Sequence, residues 1–375
     1  MRRVWNLILV ATLAVASCSA VPVGNSFRKS VPPPSIAPGE QWDPVLVCGK
    51  TIQRYESTVG PGEGPAYEMV VLGDSILWGQ GLLEEQKATT LVQYRLAEKF
   101  DRPVRKRVYA HSGATVIESG NLLNIKDGEV PSSFPHVALQ AQCVPNPEKV
   151  DLVLLNGCIN DVGAETLFDP TTSPEEIGIE KLCEEKCREP MRSLLTRIGK
   201  RFPRASIVVS GYYPFFSERT PKMTMRFVSR LFLLMAKTKG EPHHWPDSGD
   251  HMIRKSAAWH EASDKMLREA AEGSGGEEDI PGRVVFAPVP FLPENTYGAP
   301  GSLLWGITEH DNVAFSRWWN CLDRPNVPER MRCINASAFH PNPNGAIAYA
   351  DAILRALESL PERSGKLSEG VKKGE

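Results

Sequence analysis

Residues 67–81 read YEMVVLGDSILWGQG. An apolar run leads into Gly-Asp-Ser, and two further glycines follow at positions 79 and 81. Residues 67–72 are mostly apolar and β-favouring, which predicts a buried strand. Ser75 comes just after this strand, and open α/β sheets bind ligands beyond the carboxyl ends of their strands. Glycine, aspartate and serine are also common turn residues, so an ordinary turn explains the same stretch equally well.

Four further segments have the same short, β-branched character. They span residues 104–110, 151–155, 205–210 and 283–287. Between them, apolar residues recur at helical spacing, for example at Leu91, Val92 and Leu96. Five strands that alternate with helices predict an α/β fold, in which a five-stranded parallel sheet is the middle layer of a three-layer α/β/α sandwich.

Three later segments carry small and polar residues next to such elements. They are HSGAT at 111–115, NGCIND at 156–161 and FHPNPNG at 339–345. Together with Gly-Asp-Ser, and in this order, they resemble the four sequence blocks of the SGNH (GDSL) hydrolase family. The resemblance covers roughly residues 67–360. It implies a flavodoxin-like strand order and a serine hydrolase that acts on carboxylic ester bonds.

The resemblance also implies roles for four residues. Ser75 corresponds to the nucleophile and His340 to its general base. The backbone N–H groups of Ser75 and Gly113, with the side-chain amide of Asn160, correspond to the oxyanion hole, which stabilises the charge that a carbonyl oxygen gains on attack. Simpler explanations exist for two of them, since Asn160 and Asp161 could cap a helix and Gly113 could be a turn glycine.

One position departs from the family pattern. The family usually carries an aspartate three residues before the histidine, and this chain has Ser337 there. No carboxylate occurs at residues 335–340. We therefore expect a main-chain carbonyl of Ser337 or Ala338 to orient His340, which gives a Ser-His dyad.

The N-terminus predicts export from the cell. Residues 1–3 are basic and residues 4–16 are mostly apolar, which is typical of a signal peptide and too short for an ordinary membrane-spanning helix. Residues 15–18 read Val-Ala-Ser-Cys, which resembles a bacterial lipobox with Cys18 as the lipidated residue, and a secreted protein without an anchor is the alternative. The predicted organisation is a signal peptide at 1–17, a Pro/Gly-rich tether and arm at 18–65, a hydrolase domain at 66–361 and a polar tail at 362–375.

Two insertions, at about 212–250 and about 288–331, are predicted within the domain. The first contains an apolar and basic helix at 223–235, which suits either a lid against acyl chains or a helix packed on the domain's own core. The second is rich in aromatic residues and leads into His340, so we expect it to wall the substrate pocket. Those aromatics could equally pack a loop without regular structure.

The cysteines fit an exported protein. Cys321 and Cys333 flank a loop close to the candidate histidine, and we expect a disulfide between them. Cys183 and Cys187 either form a bridge or present two thiols on one helix face. Cys158 is expected to be buried and unpaired.

Composition excludes some functions and sets expectations for partners. The formal charge of −2 argues against a dedicated nucleic-acid binder. His243, His244 and His251 form a metal-like cluster, but their spacing matches no familiar zinc site, so we predict neither metal nor cofactor. The expected partner is a small-molecule or lipid ester, with membrane contact only through the lipid anchor. The sequence makes no prediction of the oligomeric state.

Two functions follow from these patterns. The first is a cell-envelope or secreted serine esterase that hydrolyses acyl esters of lipids, phospholipids or O-acetylated glycans. The second is a non-catalytic envelope lipoprotein that binds lipid or glycan. The missing carboxylate favours the second, whereas the presence of Ser75, Gly113, Asn160 and His340 favours the first more strongly.

Overall fold

Six strands form one sheet at the centre of the described structure. A computed structural model describes residues 55–61, 64–117, 128–235, 248–274, 283–307, 311 and 313–360. The chain divides into two units, Met1–Pro34 and Ser35–Glu375, and the described residues belong to the second. The predicted signal peptide, Cys18 and the polar tail lie outside the described residues. Of the helices within the described ranges, none is both long enough and apolar enough to cross a membrane.

The sheet is mostly parallel. Its strands are β1 (Tyr55–Val59), β2 (Tyr67–Leu72), β3 (Val104–Val108), β4 (Leu152–Leu155), β5 (Ser206–Ser210) and β6 (Val284–Ala287). They lie in the order β1-β3-β2-β4-β5-β6, and only β1 runs antiparallel to its neighbour. The predicted α/β class is confirmed, and the five parallel strands follow the flavodoxin-like order. The predicted count of five strands is one too few.

Strand β1 lies in the segment that the sequence assigned to the tether. Tyr55 pairs with Val108 and Val59 with Val104, so this strand covers the outer edge of β3. The side chain of Ser57 donates a hydrogen bond to Gln93 at 3.0 Å, which ties the strand to a helix of the domain. Tyr55–Val59, which the sequence assigned to the tether and arm, therefore form the edge strand of the sheet.

Thirteen α-helices occur in the described residues. They are α1 (Ser75–Trp78), α2 (Ala88–Phe100), α3 (Val137–Gln142), α4 (Ile159–Val162), α5 (Ala164–Phe168), α6 (Pro174–Ile177), α7 (Ile179–Cys183), α8 (Glu189–Arg201), α9 (Lys222–Met235), α10 (Ser248–Ser274), α11 (Ala314–Asn320), α12 (Val327–Ile334) and α13 (Pro343–Glu358). A π-helical turn at Glu184–Arg188 joins α7 to α8, and 3₁₀ turns occur at Glu84–Gln86, Pro147–Lys149 and Pro293–Asn295.

The crossover helices cover both faces of the sheet. The chain moves from β2 to β3 in one direction across the sheet and from β4 to β5 in the other. Because crossovers between parallel strands are right-handed, α2 and α8 lie on opposite faces. The strands are correspondingly buried on both sides, and Met69, Val70, Val71 and Leu72 are fully buried. The strand order reverses at β2, so Ser75 lies at the position where such sheets bind ligands.

Helix α9 of the first insertion packs on the domain's own core. Met225 and Val228 are buried, and the ring of Phe232 stacks on Phe168 with centroids 5.1 Å apart. The opposite face exposes Phe227 to solvent. Of the two alternatives for this helix, the described residues therefore fit core packing.

The disulfides agree with one prediction and correct another. Cys321 and Cys333 are bonded, as expected, and the bond joins α11 to α12. Cys158 was expected to be unpaired, but it is bonded to Cys187. Burial of Cys158 at the carboxyl end of β4 was predictable, whereas the approach of the π-helical turn that carries Cys187 depends on tertiary packing. Cys183 is left as a buried free thiol, so it forms no bridge with Cys187.

Candidate active site

Ser75 lies in a turn at the end of β2, and only glycine fits at position 73 of this turn. Gly73 has φ +151°, and a Cβ there would lie 1.9 Å from Oδ1 of Asn156. Asp74 caps α1, since its carboxylate accepts a hydrogen bond from the backbone N–H of Ile76 at 2.9 Å. Ser75 is the first residue of this helix and is buried.

His340 faces Ser75 from the turn that precedes α13. Its Nε2 lies 2.7 Å from Oγ of Ser75, and its Nδ1 lies 3.2 Å from the carbonyl oxygen of Ala338. With Nδ1 protonated and donating to that carbonyl, Nε2 carries the lone pair that can accept the hydroxyl proton. The carbonyl of Ser337 instead accepts from the backbone N–H of His340 at 2.9 Å. Of the two carbonyls expected to orient the ring, the structure thus places Ala338 at the ring nitrogen.

The imidazole is weakly basic in this position. Burial lowers the pKa of His340 to about 4, an effect that the hydrogen bond to Ala338 partly opposes. The ring is therefore neutral at pH 7, which is the protonation state that a general base needs.

The segment that carries Gly113 is hydrogen-bonded to the turn that carries Ser75. Gly113 has φ +81°, and a Cβ there would lie 2.6 Å from the backbone nitrogen of Ser132. The backbone N–H of His111 donates to the carbonyl of Gly73 at 3.0 Å. Within the described residues, the backbone N–H groups of Ser75 and Gly113 donate to no protein acceptor, so both are available to a ligand.

Asn160 and Asp161 of α4 bind the same segment from the other side. The Asn160 amide donates one hydrogen to the carbonyl of Ala114 at 2.9 Å, which leaves its second hydrogen free to bind an oxyanion. The Asp161 carboxylate accepts the backbone N–H of Val116 at 3.0 Å. Burial raises the pKa of Asp161 to about 7, and the nearby charge of Asp74 adds to this shift.

Three buried side chains that the sequence did not single out support the turn that carries Ser75. Gln140 accepts the N–H of Gly73 at 2.8 Å and donates to its carbonyl at 3.0 Å. Asn156 donates to the Asp74 carboxylate at 2.8 Å, and the hydroxyl of Tyr212 donates to it at 2.6 Å. Asn156 lies in one of the four sequence blocks, but nothing in the local pattern marks Gln140 or Tyr212.

The second insertion contacts the histidine segment directly. The backbone N–H of Trp305 donates to the carbonyl of His340 at 2.8 Å, and that of Phe339 donates to the carbonyl of Trp305 at 3.0 Å. The hydroxyl of Tyr213, which follows β5, donates to the carbonyl of Phe339 at 2.9 Å. These bonds fix both sides of the turn that presents the imidazole.

The metal-like histidine cluster is not assembled in the part of the chain that the structure describes. His243 and His244 lie outside the described residues. Within those residues, no group of three or more His, Cys, Asp or Glu side chains is arranged to hold a metal ion.

Comparison with known proteins identifies a family. The model of the GDSL-like lipase/acylhydrolase family matches residues 71–346. Among solved structures, an extracellular lipase from Streptomyces rimosus is 17% identical with a TM-score of 0.46, and a phospholipase A1 from Streptomyces albidoflavus is 15% identical with a TM-score of 0.47. Each similarity covers 78% of this chain and 100% of the other. A search of curated proteins found no match.

Proposed function

The chain belongs to the GDSL-like lipase/acylhydrolase family and is a serine ester hydrolase, and we propose that Ser75 and His340 are its catalytic dyad. The observation that carries this proposal is the 2.7 Å contact between Oγ of Ser75 and Nε2 of His340. A neutral imidazole, hydrogen-bonded through Nδ1 to a carbonyl, has its basic nitrogen aimed at the serine hydroxyl.

In the first half of the proposed reaction, Oγ of Ser75 attacks the ester carbonyl carbon while its proton passes to Nε2 of His340. The carbonyl oxygen becomes an oxyanion, which receives hydrogen bonds from the N–H groups of Ser75 and Gly113 and from the Asn160 amide. When the carbon–oxygen bond to the alcohol breaks, His340 returns its proton to the leaving oxygen. The product of this half is an acyl group on Ser75.

In the second half, water replaces the alcohol. His340 takes a proton from the water as it attacks the acyl carbon, and the same donors bind the new oxyanion. The bond to Ser75 then breaks and its oxygen recovers the proton from His340. A carboxylic acid is released and the enzyme returns to its starting state.

We propose acyl esters of lipids, phospholipids or O-acetylated glycans as the substrate class. The side chains of Phe315, Trp318 and Trp319 on α11 form an exposed aromatic group, which suits contact with an acyl chain or a sugar ring. A panel of esters from acetyl to palmitoyl tests this proposal, because kcat/KM as a function of chain length separates a deacetylase from a lipase.

The dyad is tested with p-nitrophenyl acetate and a fluorophosphonate label. We expect the wild-type protein to release p-nitrophenol and to be labelled at Ser75. The Ser75→Ala variant should fold, as judged by its circular dichroism and melting temperature, and should lose both activities. Near-wild-type turnover in this variant would disprove the nucleophile assignment. A wild-type protein that neither turns over nor reacts would support the alternative of a non-catalytic lipoprotein that binds lipid or glycan.

We further propose that the protein is exported and anchored by lipidation of Cys18. The disulfides Cys158–Cys187 and Cys321–Cys333 support export, because such bonds persist in oxidising compartments. Replacement of Cys18 by serine should move the protein from the membrane fraction to the soluble fraction. A wild-type protein found only in the soluble fraction would favour a secreted protein without a lipid anchor.

A further inference from the structure

Three charged side chains are buried behind His340. Arg317 of α11 is 1% exposed, Asp311 is 5% exposed and Glu129 is 8% exposed. The Arg317 guanidinium bridges the two carboxylates, with Nη1 2.7 Å from Glu129 and Nη2 paired with Asp311. Buried charges are costly unless each is paired, and this arrangement pairs all three.

The cluster ends at Ser337, the position where the family usually has an aspartate. The hydroxyl of Ser337 donates a hydrogen bond to the Asp311 carboxylate at 2.5 Å, and Nη2 of Arg317 lies 3.1 Å from the same hydroxyl. Ser337 is itself 3% exposed. The second insertion thus delivers a carboxylate to this place, but the carboxylate binds the serine hydroxyl rather than the imidazole.

Ser337 is part of the turn that orients His340. Its carbonyl accepts the backbone N–H of His340 at 2.9 Å, and the next carbonyl, that of Ala338, lies at Nδ1 of the ring. Arg317 also holds the start of this turn, since its Nε donates to the carbonyl of Ile334 at 2.9 Å. The position of the Ala338 carbonyl therefore depends on how firmly Ser337 is held.

We propose that Asp311, fixed by Arg317, is a positioning residue that acts through the Ser337 hydroxyl to hold the turn that aims His340 at Ser75. This inference rests on the proposed function of the dyad. Asp311 contacts neither the substrate nor the reacting atoms in this scheme. Its effect reaches the reaction through the orientation of the ring and through the interaction of its charge with the imidazole.

Electrostatics support the same assignment. The charge of Asp311 raises the pKa of His340, and the charge of Arg317 lowers it, while Glu129 pairs with Arg317 on its far side. Because His340 becomes an imidazolium in the transition state, a carboxylate close to Ser337 stabilises the charge that develops there. Loss of the Asp311 charge would leave Arg317 paired with Glu129 alone.

The experiment compares Asp311→Asn and Ser337→Ala with the wild-type enzyme. We expect each variant to lower kcat by about tenfold or more with little change in KM, because a misplaced base weakens the chemical step rather than ground-state binding. Asp311→Asn should also move the acid limb of kcat/KM to lower pH by about half a unit or more, because the imidazolium loses a nearby negative charge. The pKa of His340, followed by NMR of labelled histidine, should fall in parallel.

The matched control is Asp351→Asn, which weakens a partly exposed ion pair between Asp351 of α13 and Arg95 of α2. This control should match the wild type in kcat, KM and pH profile. A merely structural role for Asp311 predicts a lower melting temperature with an unchanged pH profile and unchanged kcat, and that result would overturn the proposal.

The Ser337→Ala variant and the NMR titration separate failure of this proposal from misfolding and from failure of the proposed function. Ser337→Ala removes only the hydroxyl and leaves the pair of Arg317 with Asp311 intact, so it decides the question even where Asp311→Asn fails to fold. A folded Ser337→Ala variant with kcat within about twofold of the wild type would show that the hydrogen bond between Ser337 and Asp311 does not position His340. If the wild-type protein itself hydrolyses no ester, the proposed function fails, and the NMR titration still reports whether Asp311 controls His340.

Discussion

Ser75 and His340 are 265 positions apart in the sequence, yet their side chains lie 2.7 Å apart. Both residues could be recognised in the sequence as candidates, because each lies in a short motif next to a predicted strand or helix. It also anticipated a main-chain carbonyl at the second ring nitrogen, since residues 335–340 contain no carboxylate. The cluster around Arg317 was not predictable in this way, because an arginine on a short helix normally faces solvent.

The weak basicity of His340 predicts an unusual pH profile. Since the neutral imidazole is the active form, kcat/KM should rise with pH as the ring loses its proton. The pKa of about 4 places this acid limb well below the ordinary histidine value of 6.5. Initial rates with a soluble ester over pH 3.5–8.5 measure it. An acid limb near pH 6.5 would contradict the burial argument.

Removal of the Asn160 amide should destabilise the transition state more than the bound substrate. The Asn160→Ala variant is expected to lower kcat by about 10²-fold or more with little change in KM, because the oxyanion exists only during the reaction. Steady-state kinetics on a soluble ester measure both constants. An effect confined to KM would show that Asn160 binds the ground state of the substrate instead.

At the scale of elements, helices α11 and α12 carry the buried arginine to the histidine turn. The Cys321–Cys333 bond closes them into a hairpin across 12 positions of sequence. Sequence reasoning could place this bond because the two cysteines are close neighbours in the chain. The Cys158–Cys187 bond spans 29 positions and joins a strand end to a π-helical turn, so only tertiary packing brings those sulfurs together.

The hairpin bond should contribute measurably to stability. The Cys321→Ser/Cys333→Ser double variant is expected to lower the free energy of unfolding by about 2–3 kcal/mol, because the open loop gains entropy in the unfolded chain. Urea denaturation followed by circular dichroism measures the change. A midpoint equal to that of the wild type would show that the hairpin is held by its other contacts, including the Arg317 ion pairs.

At the scale of the whole molecule, the alternation of strands and helices was enough to predict the parallel part of the sheet. Buried parallel strands are short, apolar and flanked by helical patterns, so each of the five leaves a local signal. Strand β1 leaves none, because YESTV is mostly polar and is followed directly by the glycine- and proline-rich residues 60–65. Its place is set by pairing with β3, which lies 45 or more positions further along the chain.

The edge strand determines where a shortened version of this protein can safely begin. A recombinant form that starts at residue 66, the boundary suggested by sequence patterns, would lack β1 and would expose the backbone N–H and C=O groups of β3 along their whole length. Open strand edges of this kind recruit other chains and promote aggregation. Laboratory production of the enzyme should therefore retain Tyr55 and the residues that follow it. We expect solubility to depend on them, even though β3 separates them from β2, the strand that leads to Ser75.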